Sequence, residues 1–372
     1  MTSHLARPTR RKLLTMTAGA ALATPFLSIR AAAQTTNLSM LAWYGHAEPD
    51  IVGEFEEANN VKFTPKYYTG GDNMLGLIAQ SPPGTYDVIL SDGEYVQQLN
   101  AAGYIQELTA ADYAFDDFFP EFQKFPGHWD GDKLYSVITR FGFLGVSYNT
   151  DEFSEKEAST YDIFADERAT GKLGHFDWHL PNLGQMSLWN GNASPYDIDE
   201  AAWAAVQETT MGLRPQVGGF FDYGGTFSSL KSGQMTLFAG IGDWITGVLE
   251  KNGANVRSVI PEEGGLQWTE SFSIGKGSKN YEMANKWIQY ITSPEGQAKS
   301  ADMAAYPALI PSEAGWKVLN ETNPAEAKRQ KMVMGEANVM DMIRDGRIQF
   351  RQLPVQQDLG TWNDFWSDYK AS

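Results

Sequence analysis

From Leu38 onward, short apolar runs alternate with segments of helical spacing, and this alternation restricts the chain to layered α/β folds. Leu38–Trp43 reads as a buried strand, Pro49–Asn59 as a helix through Ile51, Val52 and Phe55, and Val61–Tyr67 as an alternating strand. Together they make a βαβ opening. Tyr86–Leu90 continues the sheet, and Tyr95–Ala102 is helical up to a stop at Gly103. Leu134–Tyr148, extended and rich in Val, Ile, Phe and Tyr, reads as a crossing between two lobes. A second set follows: strands near Leu173–His179 and Met235–Ala239, and helices near Leu183–Trp189, Ile198–Glu208 and Ile245–Lys251. Val256–Pro261 is extended, Gln267–Ile274 looks like the return crossing, and Asn280–Thr292 carries Ala284, Trp287, Ile288 and Ile291 on one helical face.

At 372 residues, two compact units are the better expectation than one oversized core. Residues 1–34 hold five basic and no acidic residues; beyond them 24 basic residues face 46 acidic ones, a formal charge of −22. Such a field repels phosphate backbones and anionic lipid, so nucleic acid is not an expected partner. It attracts cations, although surface acid also serves solubility alone.

Arg10-Arg11 precedes a mildly apolar run, Leu13 to Ile29, that ends at Ala31-Ala32-Ala33. This reads as a twin-arginine export signal over residues 1–33, cleaved after Ala33, with an uncleaved amphipathic anchor as the competing reading. The expected product is a soluble periplasmic protein. The complete lack of cysteine suits an oxidising compartment. Gly218-Gly219, Gly224-Gly225 and Gly264-Gly265 read as turns, and none has the spacing that cradles phosphate.

Several segments resemble the spermidine/putrescine-binding proteins of ABC importers. Trp43 follows a short opening strand, and Tyr86-Asp87-Val88-Ile89-Leu90-Ser91 and the stretch from Tyr135 to Asn149 resemble family segments. Ile260-Pro261-Glu262-Glu263-Gly264-Gly265-Leu266-Gln267-Trp268-Thr269-Glu270 is the most specific likeness, and Ala305-Tyr306-Pro307 follows. The resemblance implies a type II-like periplasmic binding protein: two α/β lobes joined by crossing strands, with the ligand in the cleft. Its lobes are expected at 34–140 plus about 270–310, and at 141–269 plus about 311–372. It also implies an inner-membrane permease as partner, no cofactor and no catalysis, and a monomer is expected because both lobes must hinge freely.

The resemblance places Trp43, Trp268 and Tyr306 as ring faces for a cation, and Glu270 as the carboxylate for an ammonium. Core packing for each ring, and a solvated strand-end Glu, are the competing readings. Ser91 and Asp92 lie at the carboxyl end of a strand, where open α/β sheets put their sites, although Ser91 also suits a helix cap. Trp244 follows the second lobe's Leu237–Gly240 strand. Where the family carries two acids, this chain offers His179 and Asn182, with Trp178 beside them as a further ligand-binding candidate; His46 replaces a tyrosine; Arg140 enters an apolar crossover. An arginine there either grips a ligand carboxylate or pairs with a neighbouring acid. These departures favour a zwitterion, a betaine or dimethylsulfoniopropionate, over the polyamine alternative. A sugar-binding protein or hydrolase is the reading from another class. His175, Asp177 and His179 would share one strand face, but three ligands without a helical motif make a poor metal site.

Overall fold

The computed structural model describes residues 35–372, so the export signal expected at 1–33 lies outside the described residues. In chain order the principal strands are β1 (Thr36–Ala42), β2 (Val61–Tyr67), β3 (Val88–Asp92), β4 (Val137–Leu144), β5 (Val146–Asn149), β6 (Leu173–Phe176), β7 (Val217–Phe221), β8 (Leu237–Ala239), β9 (Val256–Val259), β10 (Gly265–Gly275) and β11 (Ile348–Phe350). Two sheets result. The larger runs β11-β10-β3-β1-β2, with β4 and the short strand Ile105–Gln106 also paired to β10; the smaller runs β7-β6-β8-β5-β9. The fold is therefore α/β in two lobes, one on each sheet.

β1, β2 and β3 are parallel, as a βαβ opening requires, whereas β10 runs antiparallel to β3. Pro65 sits in β2, an edge strand, where a missing N–H is tolerated. The first helix starts with Pro49 in its first turn and ends where Asn60 takes a left-handed φ of 51°, turning the chain into β2. The helix Tyr281–Thr292 buries Ala284, Trp287, Ile288 and Ile291, the stripe its spacing indicates. β10 is buried along its whole length, including Gln267, Thr269, Glu270, Ser271 and Ser273. Polar side chains in such a strand need partners inside the protein or in a ligand.

The chain passes from the larger sheet to the smaller one at Gly145 and returns through residues 260–264. At Gly145 there is no room for a side chain, because a Cβ would lie 2.1 Å from the Val259 carbonyl oxygen of the returning segment. All of β4 and β10 belong to the larger sheet, so the crossings lie several residues away from the expected positions near 140 and 270. The C-terminal part also divides differently from the expected block 311–372. Ser312 bridges Phe118, and Trp316 packs on Phe119 at 4.8 Å between ring centroids, which keeps helices Glu313–Thr322 and Pro324–Arg329 beside the larger sheet. Helix Leu359–Ala371 packs instead on helices His179–Trp189 and Glu200–Gly212 of the smaller lobe.

Two glycine pairs read as turns lie within elements. Gly218-Gly219 is inside β7, and Gly224-Gly225 opens helix Tyr223–Lys231, where Asp222 accepts from the Gly225 N–H at 2.7 Å. The capping carboxylate outweighs the glycines' low helix propensity. No helix of the described residues is long and apolar enough to cross a membrane.

Candidate functional site

The carboxyl ends of β1 and β3 face the start of helix His179–Trp189 across the seam between lobes. Trp43, just after β1, lies 6.0 Å from Trp178 and 4.6 Å from Tyr68, measured between ring centroids. The Trp43 indole N–H donates to Asp92 at 3.3 Å. Trp178 is held there by Asn182, whose amide donates to the carbonyls of Phe176 (2.7 Å) and Trp178 (2.8 Å) and whose oxygen lies 2.8 Å from His175 Nδ1. Asn182 thus fixes the strand-to-helix turn.

Arg351 enters the same cluster. Its guanidinium lies over the Trp178 ring at 4.4 Å, bonds Glu94 at 2.6 Å and pairs with Asp92 at 3.1 Å. Burial pushes the Asp92 carboxyl well above its ordinary range; Arg351 opposes this, and the fields of Glu94 and Glu270 add to it. Arg351, Glu94 and Tyr68 are additions to the residues read from sequence. Glu94 carried a usable signal, two residues beyond Asp92 at a strand's carboxyl end. Arg351 carried none, because a lone arginine after a three-residue strand has no periodic context.

A second cluster lies next to the first, since Asp92 and Glu270 are directly paired on β3 and β10. Glu270 is 3% exposed. Its carboxylate accepts from the Tyr306 hydroxyl at 2.5 Å, lies 3.1 Å from His46 Nε2 and pairs with Arg140 at 3.7 Å. Arg140 is 1% exposed; it donates to the Tyr306 carbonyl at 2.7 Å and stacks over that residue's ring at 4.5 Å. Of the two readings for Arg140, a ligand carboxylate or a neighbouring acid, the geometry supplies a neighbouring acid: Glu270 lies beside it within the larger lobe. Burial holds the His46 imidazole below its ordinary range, against the pull of Glu270. Trp244, from the smaller lobe, packs edge-on to Tyr306 at 6.0 Å and stacks near Tyr223 at 6.0 Å.

The remaining expected residues are placed less centrally. Trp268 covers Gly142, its direct partner on β4, where a Cβ would lie 2.4 Å from the indole. Ser91 faces away from Asp92 by strand alternation and caps no helix. His179 stands at the seam, 4.0 Å from Asp72 of the larger lobe. Five of the expected residues carry buried polar atoms with no hydrogen-bond partner among the described residues: Ser91 Oγ, Arg140 Nε, Trp178 Nε1, His179 Nε2 and Trp268 Nε1. Such orphans cost free energy unless something else satisfies them. His175 and Asp177 do not join His179. His175 lies 3.2 Å from the Tyr369 hydroxyl, and Asp177 accepts from Trp366 and Lys370, because β6 ends at Phe176 before the shared face can form.

Beyond the rings, an ionic clasp joins the lobes. Arg329 donates to both Asp243 oxygens at 2.8 and 2.9 Å and to Glu326, while Lys251 reaches Asp302 at 2.6 Å and Glu326 at 2.8 Å. Asp243 and Lys251 bound the helix that carries Trp244. Gly247 on that helix leaves space for the clasp, since a Cβ would lie 2.7 Å from the Arg329 guanidinium. Tyr223 adds a bond from its hydroxyl to the Ala305 carbonyl at 2.7 Å.

The family described as bacterial extracellular solute-binding protein matches residues 50–324. The spermidine/putrescine-binding periplasmic protein of Salmonella typhimurium strain LT2 is 24% identical over 300 residues, covering 79% of this chain and 83% of that protein. Its namesake from Escherichia coli strain K12 is 23% identical over 333 residues, 88% of each chain. Among solved structures, the spermidine/putrescine ABC transporter substrate-binding protein PotD from Streptococcus pneumoniae superposes with a TM-score of 0.71 at 18% identity, over 90% of this chain and 99% of that one. That likeness concerns the fold.

Proposed function

Because the chain belongs to the bacterial extracellular solute-binding proteins, we propose that it captures a small organic amine, a diamine of the putrescine type, in the periplasm and delivers it to an ABC permease. The observation that carries this reading is the meeting of Trp43 and Trp178 from opposite lobes beside Asp92. Two indole faces and a carboxylate recognise an ammonium group through ring quadrupoles and charge, and both interactions strengthen as the lobes exclude water.

Charge bookkeeping points the same way. Once an arriving ammonium ionises Asp92, three buried carboxylates, Asp92, Glu94 and Glu270, face two guanidiniums, Arg140 and Arg351, while His46 and His179 are held toward neutrality by burial. Asp72, its side chain 47% exposed at the seam, adds a second uncompensated negative charge. A dication balances that excess. The relatives named for spermidine and putrescine support the same class.

The zwitterion reading, a betaine or dimethylsulfoniopropionate, relied on Arg140 for the acidic end of the ligand. With Arg140 committed to Glu270, the amine alternative has the stronger support. Calorimetry of the purified protein with putrescine, spermidine, glycine betaine and dimethylsulfoniopropionate tests the proposal. Binding of putrescine at least roughly tenfold tighter than either zwitterion is expected; the reverse order defeats it. Turnover of any of these compounds would reassign the protein to an enzyme class.

A further inference from the structure

We propose that Arg351 is a specificity-determining residue: a built-in cation that fills one ammonium position of the cleft and so limits how many positive charges a ligand brings. The inference rests on the amine reading above and extends it.

The Arg351 guanidinium sits where the same chemistry would recognise a ligand ammonium. It lies over the face of Trp178 from the opposite lobe and contacts two carboxylates, Asp92 and Glu94. It is 3% exposed, so its pairing is desolvated. Its position is fixed by the backbone, because the short β11 ladder on β10 continues into a bond from the Arg351 N–H to the Gln267 carbonyl at 2.9 Å. A guanidinium cannot be neutralised by losing a proton in a protein. The charge is therefore permanent and tethered.

Two consequences follow for ligand choice. One face of Trp178 is covered from within, which shortens the run of ring surface available to a long amine. One of the paired acids is answered before any ligand arrives, so a third ammonium would meet a like charge instead of a carboxylate. Diamines are then favoured over triamines by the protein's own side chain.

The test compares putrescine, with two charges, and spermidine, with three, by calorimetry on the wild-type protein and on Arg351→Gln and Glu94→Gln variants whose folding is checked by circular dichroism. For Arg351→Gln the spermidine-to-putrescine affinity ratio should rise roughly tenfold or more, because an acid is released for a further ammonium. For Glu94→Gln the ratio should fall, because the Arg351 charge is then less compensated. A role for Arg351 in packing alone would weaken both amines together and leave the ratio within about twofold, which overturns the inference. If Arg351→Gln does not fold, the direction of the Glu94→Gln ratio decides. Wild-type protein that binds neither amine removes the amine reading and this inference with it; wild-type protein that binds putrescine while neither variant shifts the ratio removes the inference alone.

Discussion

Asp92 and Glu270 stand directly opposite each other on antiparallel strands, yet each carboxylate is paired with a different arginine, Arg351 for Asp92 and Arg140 for Glu270. The two acids should therefore respond differently to neutralisation. Glu270→Gln leaves Arg140 buried without its counter-charge and should lower stability by about 3–5 kcal/mol. Asp92→Asn relieves a costly burial and should leave the melting temperature near or above wild type, while amine affinity falls roughly tenfold or more. Thermal unfolding and calorimetry on both variants check this; a Glu270→Gln protein of unchanged stability would contradict the assignment.

Ligand binding should release a proton. Burial raises the Asp92 carboxyl well above its ordinary range, so the unliganded form holds its proton to unusually high pH. An arriving ammonium favours the ionised form, so affinity weakens as pH falls through that raised range and recovers as pH rises. Calorimetry at one pH in phosphate and in Tris, buffers of different ionisation enthalpy, measures the proton count directly. Uptake of a proton would refute the sign.

Acid should destabilise the fold through its buried histidines. Burial holds His128 and His175 at about 4, against an ordinary 6.5. The folded chain therefore binds protons less readily than the unfolded one, and stability present above pH 6.5 is lost as pH falls toward 4. Each histidine accounts for roughly 2 kcal/mol by pH 5. Urea unfolding at pH 7.5 and pH 5 should show the difference, and His175→Gln should flatten part of the slope.

The clasp should hold the lobes together apart from any ligand. Arg329→Met removes the paired bonds to Asp243 and leaves Glu326 with Lys251. The expected result is a larger radius of gyration in small-angle scattering of the ligand-free protein and an affinity lower by roughly three- to tenfold, as the competent form is less populated. Identical scattering curves for variant and wild type would exclude this role.

The opening βαβ unit and the helix Tyr281–Thr292 were legible because period and burial coincide there: apolar residues recur on one face and nothing else competes. The lobe crossings were legible as extended segments, but not to the residue, because β4 and β10 are buried on the larger sheet up to Gly145 and from Gly265. In the cleft, residue type and position singled out Trp43, Asp92 and Trp178, which lie together at the seam. They did not reveal which charges are already spent. Arg140 and Glu270 are 130 residues apart in sequence, and their pairing exists only because β4 and β10 align them in register. Arg351 reaches Asp92 through the same kind of long-range alignment, from β11 on β10.

Gly145 and the Val259 carbonyl touch backbone to backbone where two of the three connecting segments pass, the third being the stretch between Phe350 and helix Leu359–Ala371. Contact at this point is backbone against backbone, so the packing there has no slack to absorb an added atom. A methyl group at Gly145 would act as a wedge at that contact, altering the angle at which the halves rest while every side chain that meets the solute stays chemically intact.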